Sequence, residues 1–200
     1  MIPLFVNPNL VTDILVALHL ISLAVGMGTV IYLDLRTLSR ITTPTTQSNI
    51  DEIHRIHRYV TSALIGLWLS GIALLYMRTG FQIAAFSPKL WIKLAIVTLL
   101  TANAVMIHRY ALPTLNKTRN KPILSLPKTQ CCFLVFLGAV SAFCWLSGLA
   151  LGSSTALQSQ KWGLLLPTFL SGFVVMTLGA MLMLAFACFK FNKTNQRRHQ

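Results

Sequence analysis

Charge is scarce in this sequence, and acidic charge is scarcer still. Only 10% of the 200 residues are charged, and 4 acidic residues stand against 17 Lys and Arg, for a net charge of +13. Soluble domains carry about 25% charged residues, so a chain that is also 54% hydrophobic has too little polar surface to face water on all sides. The composition excludes an ordinary soluble enzyme, a disordered tail and, despite the cations, a nucleic-acid-binding module.

Several kinds of chemical motif are missing as well. The sequence has no Gly-rich phosphate loop, no nucleophile elbow and no pair of carboxylates that would face one site. Its cysteines form neither a CxxC pair nor a zinc-ligand spacing; they are Cys131, Cys132, Cys144 and Cys188. We interpret them as small hydrophobes with free thiols. A soft-metal site is the alternative, because Cys131, Cys132 and Cys188 should share one membrane face.

Long apolar runs dominate what is present. A helix needs about 20 residues to cross the ~30 Å hydrocarbon layer of a membrane. Runs of that length lie at roughly 10–33, 59–77, 90–112, 131–151 and 164–189. None of them alternates with the period of two that a membrane β-barrel needs. The sequence therefore predicts an all-α integral membrane bundle of about five helices, as a single domain over residues 1–200 with a basic tail at 190–200.

Lysine and arginine fall mainly on one side of this arrangement. That side holds the loop after the first helix, the loop after the third and the C-terminal tail, with Arg36, Arg40, Arg55, Arg58, Arg109, Lys117, Arg119, Lys121, Lys128, Lys190, Lys193, Arg197 and Arg198. The other side has only Arg78, Lys89 and Lys161, with Lys93 just inside the third helix. The positive-inside rule then predicts an external N-terminus and a cytoplasmic C-terminus. The bilayer and its anionic headgroups are the expected partners of these cations.

One short segment occurs twice. Trp68–Leu74 reads WLSGIAL and Trp145–Leu151 reads WLSGLAL. The second and fourth helices run in the same direction in this topology, so a helix pair duplicated about an axis along the membrane normal is one interpretation. Convergence on a face of small residues that lets helices pack closely is the other.

His19 is the foremost candidate for chemistry. It lies near the middle of the first helix, on a stripe with Leu15, Ser22, Gly26 and Thr29 at helical spacing. An ionisable residue at this depth is costly, which makes it a functional candidate, although a neutral histidine bonded to a nearby hydroxyl or carbonyl would also explain it.

Lys93 lies about one turn inside the outer end of the third helix and is a second candidate. Its stem is long enough to reach the membrane interface, which is the simpler explanation. It is also long enough to extend inward to about the depth of His19. There it would serve as an axial ligand, a counter-charge for a carboxylate or a proton carrier.

Two further sets of residues are candidates. His54, His57 and His108 should cluster at the cytoplasmic ends of the second and third helices, either as a solvated headgroup-facing surface or as a site for an anionic ligand or second metal. With His19, methionines in the apolar helices would suit Cu(I), although methionine there is usually filler. They are Met27, Met176, Met181 and Met183. Asp34 should pair with Arg36 or Arg58.

Two stretches resemble known membrane families. LHLIS at 18–22, leading through two glycines to Tyr32-Leu33, resembles the opening helix of the HemJ family of protoporphyrinogen IX oxidases, and WIKLAIV at 91–97 resembles its third helix. The stretch from Lys93 to Leu112-Pro113 equally resembles the copper-resistance protein D family. The likeness covers the first three helices.

The resemblance implies haem b held by His19, with Lys93 nearby. The leading hypothesis is a haem-b-binding redox protein of the bacterial inner membrane. If it is an oxidase, it would act on a tetrapyrrole or quinol and pass electrons to a membrane acceptor. A copper-handling membrane protein and a non-catalytic membrane scaffold are the alternatives. Whether the protein is an enzyme, and whether it forms homo-oligomers, stays open at this point.

Overall fold

Five long helices make up the fold. The computed structural model describes residues 8–118, 120–154, 156–157 and 160–198. The helices are Pro8–Ser39, Gln47–Thr79, Pro88–Lys117, Lys128–Ser153 and Trp162–Arg198, here called the first to the fifth helix. Each contains a segment long and apolar enough to cross a membrane, and the described residues form no strand. The predicted all-α membrane bundle is confirmed.

The second and fifth helices are longer than predicted. The second begins at Gln47, well before Tyr59, because Thr46 caps it by accepting a hydrogen bond from the N–H of Asn49. Its first turns are polar and were missed because only apolar runs were counted. The fifth helix continues to Arg198, so most of the predicted basic tail is helical; residues 199–200, and Arg119 in the loop before the fourth helix, lie outside the described part.

The third helix changes its winding near its end. Over Ile107–Ala111 it is a π-helix, and the N–H of Leu112 donates to the carbonyl of Ile107. Pro113, one residue later, has no N–H to donate and its ring would crowd the carbonyl of Arg109 in an α-helix. The wider turn relieves that crowding and places His108 within the π-helical stretch.

A buried lysine ties two helices together at the end opposite the basic loops. Lys89 is only 7% exposed, and its Nζ donates to the carbonyl oxygen of Ser154 at 2.7 Å. Carbonyls at the C-terminus of a helix have no partner within the helix, so a cation is favourable there. Lys89 therefore stabilises the end of the fourth helix, a role that its place among the loop cations did not reveal.

The fourth helix is the centre of the bundle. It packs against the first, third and fifth helices, whereas the second helix packs mainly against the first. Trp145, 1% exposed, lies in the central cluster with Leu151 and Leu165, both 0% exposed. The fifth helix contributes little to the core, and most of its large apolar side chains are exposed, as expected for a helix that faces lipid.

The two WLSG segments take partly equivalent positions. Both glycines face the first helix: a Cβ on Gly71 would lie 3.5 Å from Cε1 of His19, and one on Gly148 would lie 3.6 Å from Cδ1 of Leu23. The tryptophans differ, because Nε1 of Trp68 donates to Thr101 while Trp145 is buried in the core. The second and fourth helices also have different neighbours, so the duplicated helix pair stays a prediction.

The helix order gives the topology prediction a direct test. A reporter that is active only outside the cytoplasm, fused after Arg198, should be inactive because an odd number of helices separates it from an external N-terminus. The same reporter fused after Gly152, at the end of the fourth helix, should be active. Activity in the first fusion together with silence in the second would reverse the predicted orientation.

Candidate functional site

His19 lies against the second helix and is hydrogen bonded to it. Its Nδ1 is 2.9 Å from Oγ of Ser70, the serine of the first WLSG segment. The ring is half-buried, and its Cε1 edge lies next to Gly71, where an added Cβ would be in ordinary van der Waals contact with it at 3.5 Å. The first and second helices thus hold the imidazole in one orientation within the apolar part of the bundle.

The bonds of Ser70 favour one tautomer of His19. Oγ of Ser70 donates its own hydrogen to the carbonyl of Gly66 at 2.6 Å, so it acts as an acceptor toward His19. The tautomer that fits this arrangement has its proton on Nδ1, which donates to Ser70. In the neutral ring this leaves a lone pair on Nε2, which is the atom a metal would bind.

Lys93 lies on the third helix, where its side chain is exposed, and it is close enough to His19 for their charges to interact. Lys89 and Arg78 also interact with the Lys93 ammonium. The structure therefore brings the two predicted site residues into one region, and that region carries an excess of positive charge. An anionic group would be favourable there.

The stripe of small residues next to His19 is filled by protein. A Cβ on Gly66 would clash with Oγ of Ser22, and one on Gly26 would lie 2.6 Å from Cζ3 of Trp145 and closer still to Cη2. The stripe therefore leaves no room for a flat ligand between His19 and the end of the bundle that carries the loops after the first and third helices. Close helix packing explains these residues, and a ligand of His19 would have to approach from the side of Lys93.

The second histidine set forms a cluster at the basic end of the bundle, the end that carries the loops after the first and third helices. The rings of His57 and His108 are stacked, with centroids 5.5 Å apart, and Nε2 of His54 is 3.3 Å from Oδ1 of Asn116. All three are at least partly exposed, as a headgroup-facing surface requires. Within the described residues, no three His, Cys, Asp or Glu side chains are arranged to hold a metal ion.

The acidic residues pair differently from the prediction. Arg36 forms an ion pair with Glu52 at 2.6 Å rather than with Asp34, and no ion pair of Asp34 occurs in the described part of the chain. The prediction for Asp34 was wrong because Glu52, the partner of Arg36, belongs to the polar first turns of the second helix, which precede its predicted apolar run.

The methionines and cysteines that were candidates for a soft-metal site lie in different parts of the molecule. Met27 and Met176 pack against the central cluster, while Met183 is 48% exposed on the fifth helix. Cys131 and Cys188 pack in a smaller apolar cluster at the basic end, whereas Cys132 is exposed, so the predicted shared face holds for only two of the three. These positions favour filler and packing roles.

Two buried polar groups were not among the residues that the sequence patterns indicated. Asn103 is 4% exposed and donates from Nδ2 to the carbonyl of Leu137, yet its Oδ1 has no partner among the described residues. The indole N–H of Trp145 is likewise buried and unpaired. An asparagine within an apolar run was a signal that could have been noticed, since it marks a contact between helices in a membrane.

Comparisons with known proteins give no relative. No family model matches the chain, no curated protein is similar to it, and no solved structure shares its fold at a significant level. The function must therefore be inferred from the residues and their arrangement.

Proposed function

We propose that the protein is an integral membrane haem-b protein in which Nε2 of His19 is an axial ligand of the iron. The observation that carries the proposal is the chain of contacts from His19 to Ser70 to Gly66, which favours a proton on Nδ1 and a free lone pair on Nε2. Histidine ligands of metals usually have such a partner on the second nitrogen, because it fixes both the tautomer and the orientation of the ring.

Lys93 has a supporting role in this proposal. Haem carries two propionate groups, and the positive region around Lys93, Lys89 and Arg78 suits a carboxylate. Lys89 already donates to Ser154, and Lys93 is exposed, so Lys93 is the cation best placed to pair with a propionate. This explains a lysine within an apolar helix without requiring it to bind iron.

Haem suits the donor set better than copper does. A histidine-ligated haem needs one imidazole nitrogen as an axial ligand, and His19 on the first helix would provide it. A Cu(I) site needs several soft donors together, whereas Met27 and Met176 pack against the central cluster and Met183 is exposed on the fifth helix. When bound, haem b would supply one-electron chemistry, and an oxidase of this kind would take electrons from a reduced tetrapyrrole or quinol and pass them to a membrane acceptor.

An absorption spectrum of the purified protein tests the proposal. Protein purified in mild detergent from cells supplied with a haem precursor should show a Soret band and a pyridine haemochrome spectrum typical of haem b. Reduction with dithionite should shift the Soret band. Protein-bound copper without a Soret band would instead favour copper handling, and neither haem nor copper would favour a scaffold; either result contradicts the proposal.

A further inference from the structure

A small cleft lies at the basic end, away from His19. It is formed by the end of the first helix, the loop that follows and the beginning of the second helix. Ile123, from the loop after the third helix, also lines it. Its volume is about 40 Å³. Because one water needs at least ~10–15 Å³ by this measure, the cleft admits a group the size of a phosphate and excludes a macrocycle.

Two arginines and one glutamate provide the charges of this cleft. Nη2 of Arg36 is paired with Oε2 of Glu52, while Nη1 of Arg40 donates to Oδ1 of Asn49 at 3.0 Å. A guanidinium has five N–H donors, so donors remain on both arginines. Asn49 is neutral, and two positive charges against one negative charge leave the cleft with a net charge of +1.

The wall of the cleft is fixed by hydrogen bonds between the two basic loops. The N–H of Thr45 donates to the carbonyl of Lys121 at 3.1 Å, and the N–H of Asn120 donates back to the carbonyl of Thr45 at 2.9 Å. Oγ1 of Thr43 donates to the carbonyl of Arg40, which holds the start of the loop. Arg36 is therefore presented from the last turn of the first helix and Arg40 from the start of a braced loop, which reduces the ordering cost of binding.

The position of the cleft indicates the kind of ligand. It lies just beyond the apolar run of the first helix and against the polar first turns of the second, and Leu33, Ile53 and Ile123 form apolar parts of its wall. Basic pockets between membrane helices at this level bind lipid headgroups. An arginine fork fits phosphate oxygens, and the apolar wall suits the glycerol and acyl region directly beneath a headgroup.

From these observations we propose that the cleft binds the phosphodiester headgroup of an anionic phospholipid. The net charge of +1 matches the single negative charge of a phosphodiester. Inorganic phosphate carries up to about twice that charge at neutral pH and lacks the apolar part that Leu33 and Ile53 would contact.

Native mass spectrometry of the detergent-purified chain can measure this binding. Phosphatidylglycerol is the probe, phosphatidylcholine is the lipid of zero net charge, and inorganic phosphate is the competitor. We expect phosphatidylglycerol to remain bound at least tenfold more than phosphatidylcholine and to resist millimolar phosphate. Equal retention of the two lipids, or displacement by phosphate alone, would overturn the proposal.

Two variants and one control localise the site. Arg40→Gln should reduce phosphatidylglycerol retention about tenfold, whereas Arg55→Gln, which removes the same charge from an exposed position outside the cleft, should leave it unchanged. Asn49→Asp places a carboxylate beside Arg40 and should cause a similar loss. Asp is favourable in the first turn of a helix, so this variant keeps the fold even if Arg40→Gln does not. Equal losses of phosphatidylglycerol retention in the Arg40 and Arg55 variants would show a general electrostatic attraction to the basic surface. That result would contradict a specific site.

Discussion

Replacing Gly26 with alanine should destabilise the bundle strongly, whereas the same change at Gly28 should not. The new Cβ at position 26 would lie 2.6 Å from Cζ3 of Trp145, whose rigid indole is 1% exposed. Nothing lies within 4 Å of the equivalent atom at Gly28. The two substitutions add the same methyl group to the same helix two residues apart, so the difference isolates the contact with Trp145.

The expected effects have opposite signs. Overpacking of a tight core costs about 1–3 kcal/mol, and a rigid, fully buried indole places Gly26→Ala at the upper end of that range. Gly28→Ala should be neutral or stabilising by up to about 1 kcal/mol, because alanine is the better helix former. Thermal unfolding in detergent measures both; equal melting temperatures would show that Trp145 can move aside.

A second substitution at Trp145 tests whether the clash is the cause. Trp145→Phe removes the indole atoms that a residue larger than glycine would meet at position 26. It also removes a buried N–H that has no partner, so the polar part of this change carries no penalty. Gly26→Ala should therefore cost less in the Trp145→Phe background than in the wild type. Additive effects of the two changes would contradict a direct contact.

Loss of His19 should abolish haem binding. His19→Ala removes the only atom that we propose as an iron ligand, so the Soret band of the purified protein should disappear. His108→Ala, a substitution in the stacked pair at the basic end, should retain haem. An unchanged Soret band in the His19 variant, or haem loss in the His108 variant alone, would move the site away from His19.

The hydrogen bond to Ser70 allows a more selective test. Ser70→Ala removes the acceptor for Nδ1 of His19 without touching the proposed ligand atom, and partners of this kind typically change metal affinity 10–100-fold. Ser147→Ala removes the matching buried serine of the second WLSG segment and should leave haem binding intact. Equal haem content in both variants would show that Ser70 does not orient the ligand.

Variants of Lys93 distinguish a charge from a ligand. Lys93→Ala should weaken haem retention, and Lys93→Arg should restore it, since a guanidinium keeps the charge that pairs with a propionate. A guanidinium stays protonated and is no iron ligand. Failure of the arginine variant to restore binding would therefore contradict the propionate role.

The five helices could be predicted because each one is specified locally, by an apolar run of sufficient length. The polar start of the second helix was missed for the same reason: residues 47–58 are not apolar, and the cap at Thr46 is a weak signal by comparison. This omission also hid Glu52 and with it the true partner of Arg36.

The surroundings of the candidate site depend on tertiary contacts. A hydroxyl partner for His19 was one of the alternatives, but the sequence could not single out Ser70, which lies 51 residues away. Nor could it show that Trp145 fills the space at Gly26, because the first and fourth helices are far apart in the chain. Helical spacing identifies the residues of one face; it does not identify what covers that face.

The contact between Trp145 and Gly26 has a consequence for how the protein is made. The first and second helices pack along their length and can pair as soon as both have been synthesised. The atoms nearest to the space at Gly26 belong to Trp145 of the fourth helix, so until that helix has entered the membrane this space lacks the side chain that packs into it. The fifth helix adds mainly to the outside. Insertion of the fourth helix is therefore the step of biogenesis at which the paired first and second helices become part of a packed bundle.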